Sequence, residues 1–342
     1  MAKCAKIVGT GSYLPKKKIN NEQMEKLVRN FDYERAGMPF SQWVEKVTGI
    51  KTRYFVQEED TESMAREASL RALEAAQMNP EEIDFIIVSS FTPTRDIPNL
   101  ACSLGALIGA QGVGGFPLNA ACAGFVYALS VGYALIKSDI YKNILVVSSE
   151  TLSRVTDYGD PTTAVLFADG AGAAILQASS QSGICSPPYL SSSFTDHFEL
   201  RNSDAYGPEN IKEIEGQEFF PRSTLHMPGG PQVLRKAVNG MAEALLKALE
   251  ASPYELKDLD LIIPHQANRR ITYGLIEKLK IPESKVCRVI DMIGNTSGAS
   301  VAISLDMAAR NQLPDVKIKR GDKIAMTTIG GGYSIGSIVF EY

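Results

Sequence analysis

One cysteine in this chain is placed to act as a nucleophile. Cys122 lies in Asn119-Ala120-Ala121-Cys122-Ala123-Gly124-Phe125, between a short apolar strand at 116–119 and a helix-forming run at 124–137. At such a junction the positive end of the helix dipole faces the sulfur, which favours thiolate over thiol. The immediate neighbours are small, so a bulky thioester has room to approach. Taken alone, the position suits a small core residue equally well, because free cysteine packs as a hydrophobe.

Three further sites carry groups that would complement a thiol nucleophile. An apolar strand at 261–263 ends in Pro264-His265-Gln266-Ala267-Asn268-Arg269-Arg270, and a helical pattern follows. His265 therefore stands at the C-terminal end of a strand, the functional edge of an α/β sheet. It is one of three histidines, with His197 and His226 in an irregular region; a lone histidine is more often structural than catalytic, but a strand end in the half that mirrors the Cys122 half favours catalysis. Gly294-Asn295-Thr296-Ser297-Gly298-Ala299-Ser300 offers a carboxamide, or simply a turn that Asn tolerates. Gly330-Gly331-Gly332 exposes successive backbone N–H groups. It lacks the Gly-Lys-Ser/Thr of a P-loop, so an oxyanion hole or a tight turn fits better than a phosphate cradle.

The elements that must position these groups occur twice. Residues 72–87 and 248–263 each read as a helix end, a polar turn and an apolar strand, about half the chain apart. Asp60 offers an N-cap to a helix with Met64, Ala65, Ala68, Ala72 and Ala75 on one face. Its counterpart runs over 232–250, with Val233, Ala237, Met241, Leu245 and Leu249 spaced by four. Strand, turn and helix at 116–129 are echoed by 289–305, and the strand at 142–148 by 322–328. Asn295 thus falls at the repeat equivalent of the Cys122 turn. Alternating helix and strand implies parallel α/β layers with helices on both faces of each sheet. The expected organisation is two related halves, 1–178 and 179–342, packed as one body around a shared cleft. Stretches 30–42 and 187–230 depart from the repeat and read as loops or caps over that cleft.

Composition narrows the function classes. With 342 residues, 44% hydrophobic and 22% charged, the chain reads as an ordinary soluble globular protein. A net charge of −4 argues against broad nucleic-acid binding. No apolar run approaches a membrane span, and the first residues lack the apolar core of a signal peptide. The five cysteines (Cys4, Cys102, Cys122, Cys185 and Cys287) are scattered, with no C-x-x-C. That pattern fits unpaired thiols in a reducing cytoplasm and offers no structural zinc site.

Taken in order, the four motifs resemble those of the β-ketoacyl-acyl-carrier-protein synthase III family, within the thiolase-like condensing enzymes. The likeness extends over nearly the whole chain and includes 167–175. It implies a thiolase-like α/β fold, two duplicated halves packed as a five-layered α-β-α-β-α body. It also implies decarboxylative condensation: Cys122 takes an acyl group, with Cys122 N–H and Gly331 N–H as the oxyanion hole. His265 and Asn295 would hold the enolate formed when malonyl on acyl carrier protein loses CO₂. Coenzyme A and acyl-carrier-protein thioesters are then substrates, with no metal or redox cofactor, and a homodimer is expected.

By the same resemblance Trp43 stacks on the adenine of coenzyme A, although plain packing would also explain it. Asn268 lines the pantetheine tunnel. Arg270 docks the carrier protein, with Arg269, Lys278 and Arg235 near it in sequence, although solvated surface charge is the simpler account. Ile97 falls where a residue crosses the dimer interface to close the acyl pocket. Departures affect the primer end: two nucleotide-flanking arginines fall on Val47 and Pro161, a tunnel asparagine on Pro231, and residues around 30–40 are extra. Ile97 in place of a large aromatic suggests a primer longer or more branched than acetyl. Three other readings compete: a specialised-metabolite condensing or acyl-transferring enzyme, a cysteine hydrolase of α/β type, and a silent partner subunit. A hydrolase would want Gly-x-Cys-x-Gly, where this chain has Ala120-Ala121-Cys122-Ala123-Gly124. A silent subunit would usually have lost Cys122.

Overall fold

The computed structural model describes residues 4–192, 201–202, 212–214, 217–219, 224–227 and 230–342. His197 and most of the stretch 187–230 lie outside the described residues. The elements that build the site are β1 (Cys4–Tyr13), α1 (Phe40–Thr48), α2 (Thr61–Ala76), β2 (Phe85–Ser89) and α3 (Leu100–Ile108). They continue with β3 (Gly114–Leu118), α4 (Gly124–Lys137), β4 (Asn143–Thr151), β5 (Asp169–Ser179) and β6 (Tyr189–Ser192). The remainder are α5 (Gly230–Glu250), β7 (Leu261–Pro264), α6 (Arg269–Leu279), α7 (Ala299–Ala309), β8 (Lys323–Gly330) and β9 (Ser334–Glu341).

The first sheet has the order β1-β5-β4-β2-β3 and the second the order β6-β9-β8-β7. Pairing sense runs the same way in both. In the first, β1–β5 and β5–β4 are antiparallel, whereas β4–β2 and β2–β3 are parallel. In the second, β6–β9 and β9–β8 are antiparallel and β8–β7 is parallel. The sheets are therefore mixed rather than wholly parallel. Only Gly331 to Tyr333 separate β8 from β9, so those two strands must form an antiparallel hairpin.

Beyond β7, the strand expected to echo β3 is reduced to a single parallel bridge between Ile262 and Val286. The Gln266 side chain explains this. Its Oε1 accepts from Val289 N–H and Ile290 N–H at 3.0 and 3.2 Å, diverting those donors from a ladder and starting a short helix, Ile290–Ile293.

The layers follow from where apolar faces point. Helix α2 is capped by Asp60, whose side chain accepts from Ser63 N–H, and it buries Met64, Ala65, Ala68 and Ala72 against the first sheet. Ala75 is exposed, and Leu73 is buried instead. Helices α2 and α3 cover the outer face of the first sheet, and α5, with α6 against it, that of the second. Between the sheets lie α4 and α7, buried on nearly all sides, as helices apolar around their whole circumference must be. Their side chains join residues of both sheets in one core, including Ile87, Phe125, Ile263, Ile303 and Met326. The result is a five-layered α-β-α-β-α body.

Two of the five cysteines are not free. Cys4 and Cys185 form a disulfide, leaving Cys102 exposed and Cys122 and Cys287 buried. The two sulfurs meet because Ala5 and Ile184 exchange backbone hydrogen bonds at 3.0 and 2.8 Å, which aligns the chain segments beside them. The expectation of five unpaired thiols is corrected on this point: partners separated by 181 positions leave no spacing pattern to read. Among the described residues no helix is long and apolar enough to cross a membrane.

Candidate active site

Cys122 sits where β3 gives way to α4, in a single 3₁₀ turn, Ala121–Ala123. Ala121 adopts φ +47°, a left-handed conformation that a side chain resists, and Asn119 steadies the bend by accepting from Ala121 N–H at 3.0 Å. Small residues let the surroundings close on this turn. A Cβ on Gly124 would lie 1.8 Å from Ser89 Oγ. One on Gly330 would lie 2.6 Å from Ala120 O and 2.9 Å from Cys122 N. Gly330 is thus the glycine that brings the β8 end of the second half against the nucleophile turn of the first.

His265 follows the last residue of β7, and its N–H donates to Thr327 O at 2.9 Å. Its turn is braced by Gln266, fully buried, whose Nε2 donates to Pro264 O and Cys287 O at 2.8 and 3.1 Å. Asn295 is tied across to the first half: its N–H donates to Leu166 O, and Ala168 N–H donates to its carbonyl at 2.8 Å. The Asn295 side-chain Oδ1 accepts from Ser297 N–H at 2.9 Å. Its Nδ2, like His265 Nε2, has no protein partner among the described residues.

Cys122, His265, Asn268 and Asn295 line one cavity of about 90 Å³, whose remaining wall is largely apolar and includes Phe167, Leu234 and Ile329. Three groups distant in sequence are therefore joined around one apolar space. Ser297 Oγ donates to Cys122 Sγ at 3.3 Å. Burial pushes the Cys122 thiol up to about 11, and the Ser297 hydroxyl offsets this only in part. The expectation of a resting thiolate is corrected accordingly. Burial also pushes the His265 imidazole down to about 3, so it is neutral. Near Cys122, Glu150 is buried and accepts from Ser90 Oγ and from the backbone N–H groups of Phe91 and Thr92; burial pushes it up to about 8.

The other candidates fall outside this cavity's lining. Gly331 lies one residue beyond Gly330 in the β8–β9 turn, half-buried. Trp43, on α1, packs in an aromatic cluster, 5.0 Å from the Phe31 ring and 6.2 Å from that of Phe40. The extra residues around 30–40 thus supply its neighbours. Asn268 links cavity and α1, because its Nδ2 donates to Val47 O at 3.1 Å. Arg269 is half-buried and donates to Glu45 O, whereas Arg270, Arg235 and Lys278 are exposed. Ile97 is 89% exposed in the single chain. Among the described residues no three His, Cys, Asp or Glu side chains gather as metal ligands.

Sequence reasoning singled out neither Ser297, Ser300, Gln266 nor Glu150 for a role of its own. The two serines sat inside the quoted Asn295 motif. The only available signal was their spacing from Asn295, which does not say where a side chain points.

Comparison with known proteins identifies the family. Sequence models of 3-oxoacyl-[acyl-carrier-protein] synthase III match residues 116–190, and of its C-terminal part residues 249–342. A β-ketoacyl-[acyl-carrier-protein] synthase III of Xanthomonas euvesicatoria pv. vesicatoria is 38% identical, covering 99% of this chain and 98% of the relative. The crystal structure of 3-oxoacyl-[acyl-carrier-protein] synthase III from Aquifex aeolicus superposes with TM-score 0.87 at 37% identity, over 99% of this chain and all of that one. The priming β-ketosynthase of the R1128 polyketide pathway gives TM-score 0.86 at 32% identity, over 99% and 96%. The fold is thiolase-like, and likeness at this level over the full length of both chains leaves one assignment: this chain belongs to the 3-oxoacyl-[acyl-carrier-protein] synthase III family.

Proposed function

We propose that the chain is a 3-oxoacyl-[acyl-carrier-protein] synthase III, a condensing acyltransferase that joins an acyl primer to malonyl-acyl carrier protein at the start of fatty acid synthesis. The observation that carries the reading is the convergence of Cys122, His265 and Asn295 on one apolar cavity. In the first step Cys122 sulfur attacks the thioester carbonyl of an acyl-CoA. The new C–S bond replaces the old one, and the thiol proton ends on the departing coenzyme A sulfur. Because Cys122 rests as a thiol, loading depends on that proton leaving as the bond forms.

In the second step malonyl on the carrier protein loses CO₂. The electron pair of the broken C–C bond passes into an enolate, whose oxygen takes hydrogen bonds from His265 Nε2–H and Asn295 Nδ2. Its carbon attacks the acyl-Cys122 carbonyl, the oxyanion rests on the N–H groups of Cys122 and Gly331, and the thiolate leaves to give the 3-oxoacyl product, then takes a proton from water to return to the thiol. Two donors in a dry site are worth on the order of 10² in rate each. No metal or redox cofactor enters these steps.

The halves 1–178 and 179–342 would supply the nucleophile and the two enolate donors respectively, in keeping with their shared strand order. Exposed Arg270 and half-buried Arg269, with Arg235 and Lys278 near them in sequence, would receive the acidic carrier protein. Asn268 would line the pantetheine path, and Trp43, on the same helix as Val47, would meet the adenine. A homodimer would place Ile97 and the edge strand β3 against a second copy, consistent with the exposure of Ile97. The cytoplasm would be the compartment, although the Cys4–Cys185 bond departs from the unpaired thiols expected there. A second reading, priming of a specialised metabolite, is favoured by the likeness to the R1128 priming enzyme and by Ile97 where a larger aromatic would narrow the pocket.

Mass spectrometry after mixing with acyl-CoA tests the core of the reading: one acyl adduct on Cys122, absent from Cys122→Ala, which also loses condensation. Condensation surviving in that variant would overturn it. A primer panel with malonyl-acyl carrier protein separates the pathways, and strict acetyl preference would defeat the expectation of a longer or branched primer.

A further inference from the structure

The tautomer of His265 is set by a residue that does not touch the cavity. His265 Nδ1 lies 2.7 Å from Ser300 Oγ, in the first turn of α7. The same oxygen accepts from Gln266 N–H at 3.3 Å. Ser300 is fully buried, so no solvent completes its hydrogen bonding. A hydroxyl has one proton to donate, and with Gln266 N–H on one lone pair, only two arrangements remain. If Nδ1 carries a proton, it takes the second lone pair and leaves the Ser300 proton in a dry core with no acceptor among the described residues. If Nδ1 is bare, the Ser300 proton goes to it and every group is satisfied. Buried polar hydrogens left without partners are strongly disfavoured.

We infer that Ser300 is a positioning residue, its hydroxyl donating to His265 Nδ1 and so holding the imidazole as the Nε2–H tautomer with that N–H toward the cavity. The inference deepens the reading above and rests on it for its catalytic consequence, though not for the tautomer itself. Burial keeps the ring neutral, which makes the choice of nitrogen decisive. An Nε2–H donates to an enolate oxygen, whereas a bare Nε2 would repel it. The same tautomer has no lone pair at Nε2, so His265 does not take the proton of Cys122 during acyl loading. Ser300 therefore separates the two half-reactions: it supports decarboxylation and is largely silent in loading.

The test begins with the unaltered protein. Long-range proton–nitrogen spectra of selectively ¹⁵N-histidine-labelled protein, with His265 assigned by loss of its signals in His265→Asn, should show Nε2 protonated and Nδ1 bare from pH 5.5 to 8. A protonated Nδ1, or a mixture of tautomers, overturns the proposal without reference to activity. In Ser300→Ala the spectra should show mixed tautomers and malonyl decarboxylation should fall on the order of 10-fold through kcat, with KM little changed. Acyl loading should fall by less than about 3-fold, since it does not use the Nε2 proton. Ser300→Thr, which keeps the hydroxyl, should restore both the single tautomer and the decarboxylation rate. A Ser300→Ala protein with one Nε2–H tautomer and full decarboxylation would sink the role of Ser300. Should the unaltered protein show the tautomer yet fail to decarboxylate malonyl-acyl carrier protein, the reaction assignment falls while the Ser300–His265 relationship stands.

Discussion

Ser297 Oγ donates to Cys122 Sγ at 3.3 Å, reaching the nucleophile from the half of the chain that also carries His265 and Asn295. It steadies a sulfur that burial makes reluctant to ionise. With the thiol pushed up to about 11, the thiolate fraction grows about tenfold per pH unit throughout the working range. Alkylation of Cys122 by iodoacetamide, measured in a Cys102→Ser background, should therefore climb from pH 7 to 10 without a plateau. Ser297→Ala removes the donor that favours thiolate, raises the thiol further, and should slow alkylation at pH 8 about 3- to 10-fold. A plateau near pH 7 would mean the sulfur rests ionised.

His265 and Asn295 act in the second half-reaction. His265→Ala and Asn295→Ala should each lower malonyl decarboxylation on the order of 10²-fold, while acyl loading of Cys122 changes far less. Single-turnover loading followed by mass spectrometry, set beside CO₂ release, separates the two steps. Equal loss in both would contradict the assigned roles.

The buried neutral state of His265 also has a cost in acid. Its folded value near 3 lies below the ordinary 6.5, so between those values the unfolded chain holds a proton that the folded one does not. The stabilisation is complete above pH 6.5 and is lost as pH falls towards 3, by up to about 1.4 kcal/mol per unit. Urea denaturation at pH 7, 6 and 5 should show a steeper decline for the unaltered protein than for His265→Asn. Parallel declines would assign the acid sensitivity elsewhere.

Gly330 has no room for a side chain. The added carbon in Gly330→Ala would meet Ala120 O at 2.6 Å and Cys122 N at 2.9 Å, both backbone atoms that cannot rotate aside. The strain should cost about 1–3 kcal/mol of stability and displace the N–H assigned to the oxyanion. Thermal denaturation and condensation assays should both register the change, with activity down more than about 10-fold. A variant with unaltered melting and rate would mean the hairpin end moves freely.

The Cys4–Cys185 bond closes a loop of 181 positions that runs through the first half and into the start of the second. Thiol titration of denatured, non-reduced protein should find three thiols, and five after reduction. Cys185→Ser should lower stability by about 2–4 kcal/mol through the looser unfolded chain, with little effect on acyl loading. Five thiols without reductant would refute the bond.

Much of the frame was legible because periodicity reports burial directly. The helix at 124–137, the Asp60 cap and the apolar strand before His265 all appear where the pattern places them. Where the reading departed, a contact invisible in one dimension intervened. Gln266 captures Val289 N–H and Ile290 N–H and turns an expected strand into a helix start. Burial raises the Cys122 thiol, because desolvation depends on what other segments bring. That the Trp43 ring packs beside Phe31 and Phe40 is likewise not readable from its position in the chain.

By itself the sequence determined the reacting groups and the order of elements that carry them, since residue chemistry and local pattern travel with the chain. Only the tertiary structure decided which atoms face the cavity. Ser300 lies 35 positions from His265 and Ser297 lies 175 from Cys122, and no propensity relates such pairs. A hydrogen bond is a matter of a few tenths of an ångström between particular atoms, and that precision arises when packed layers leave each side chain a single satisfied orientation.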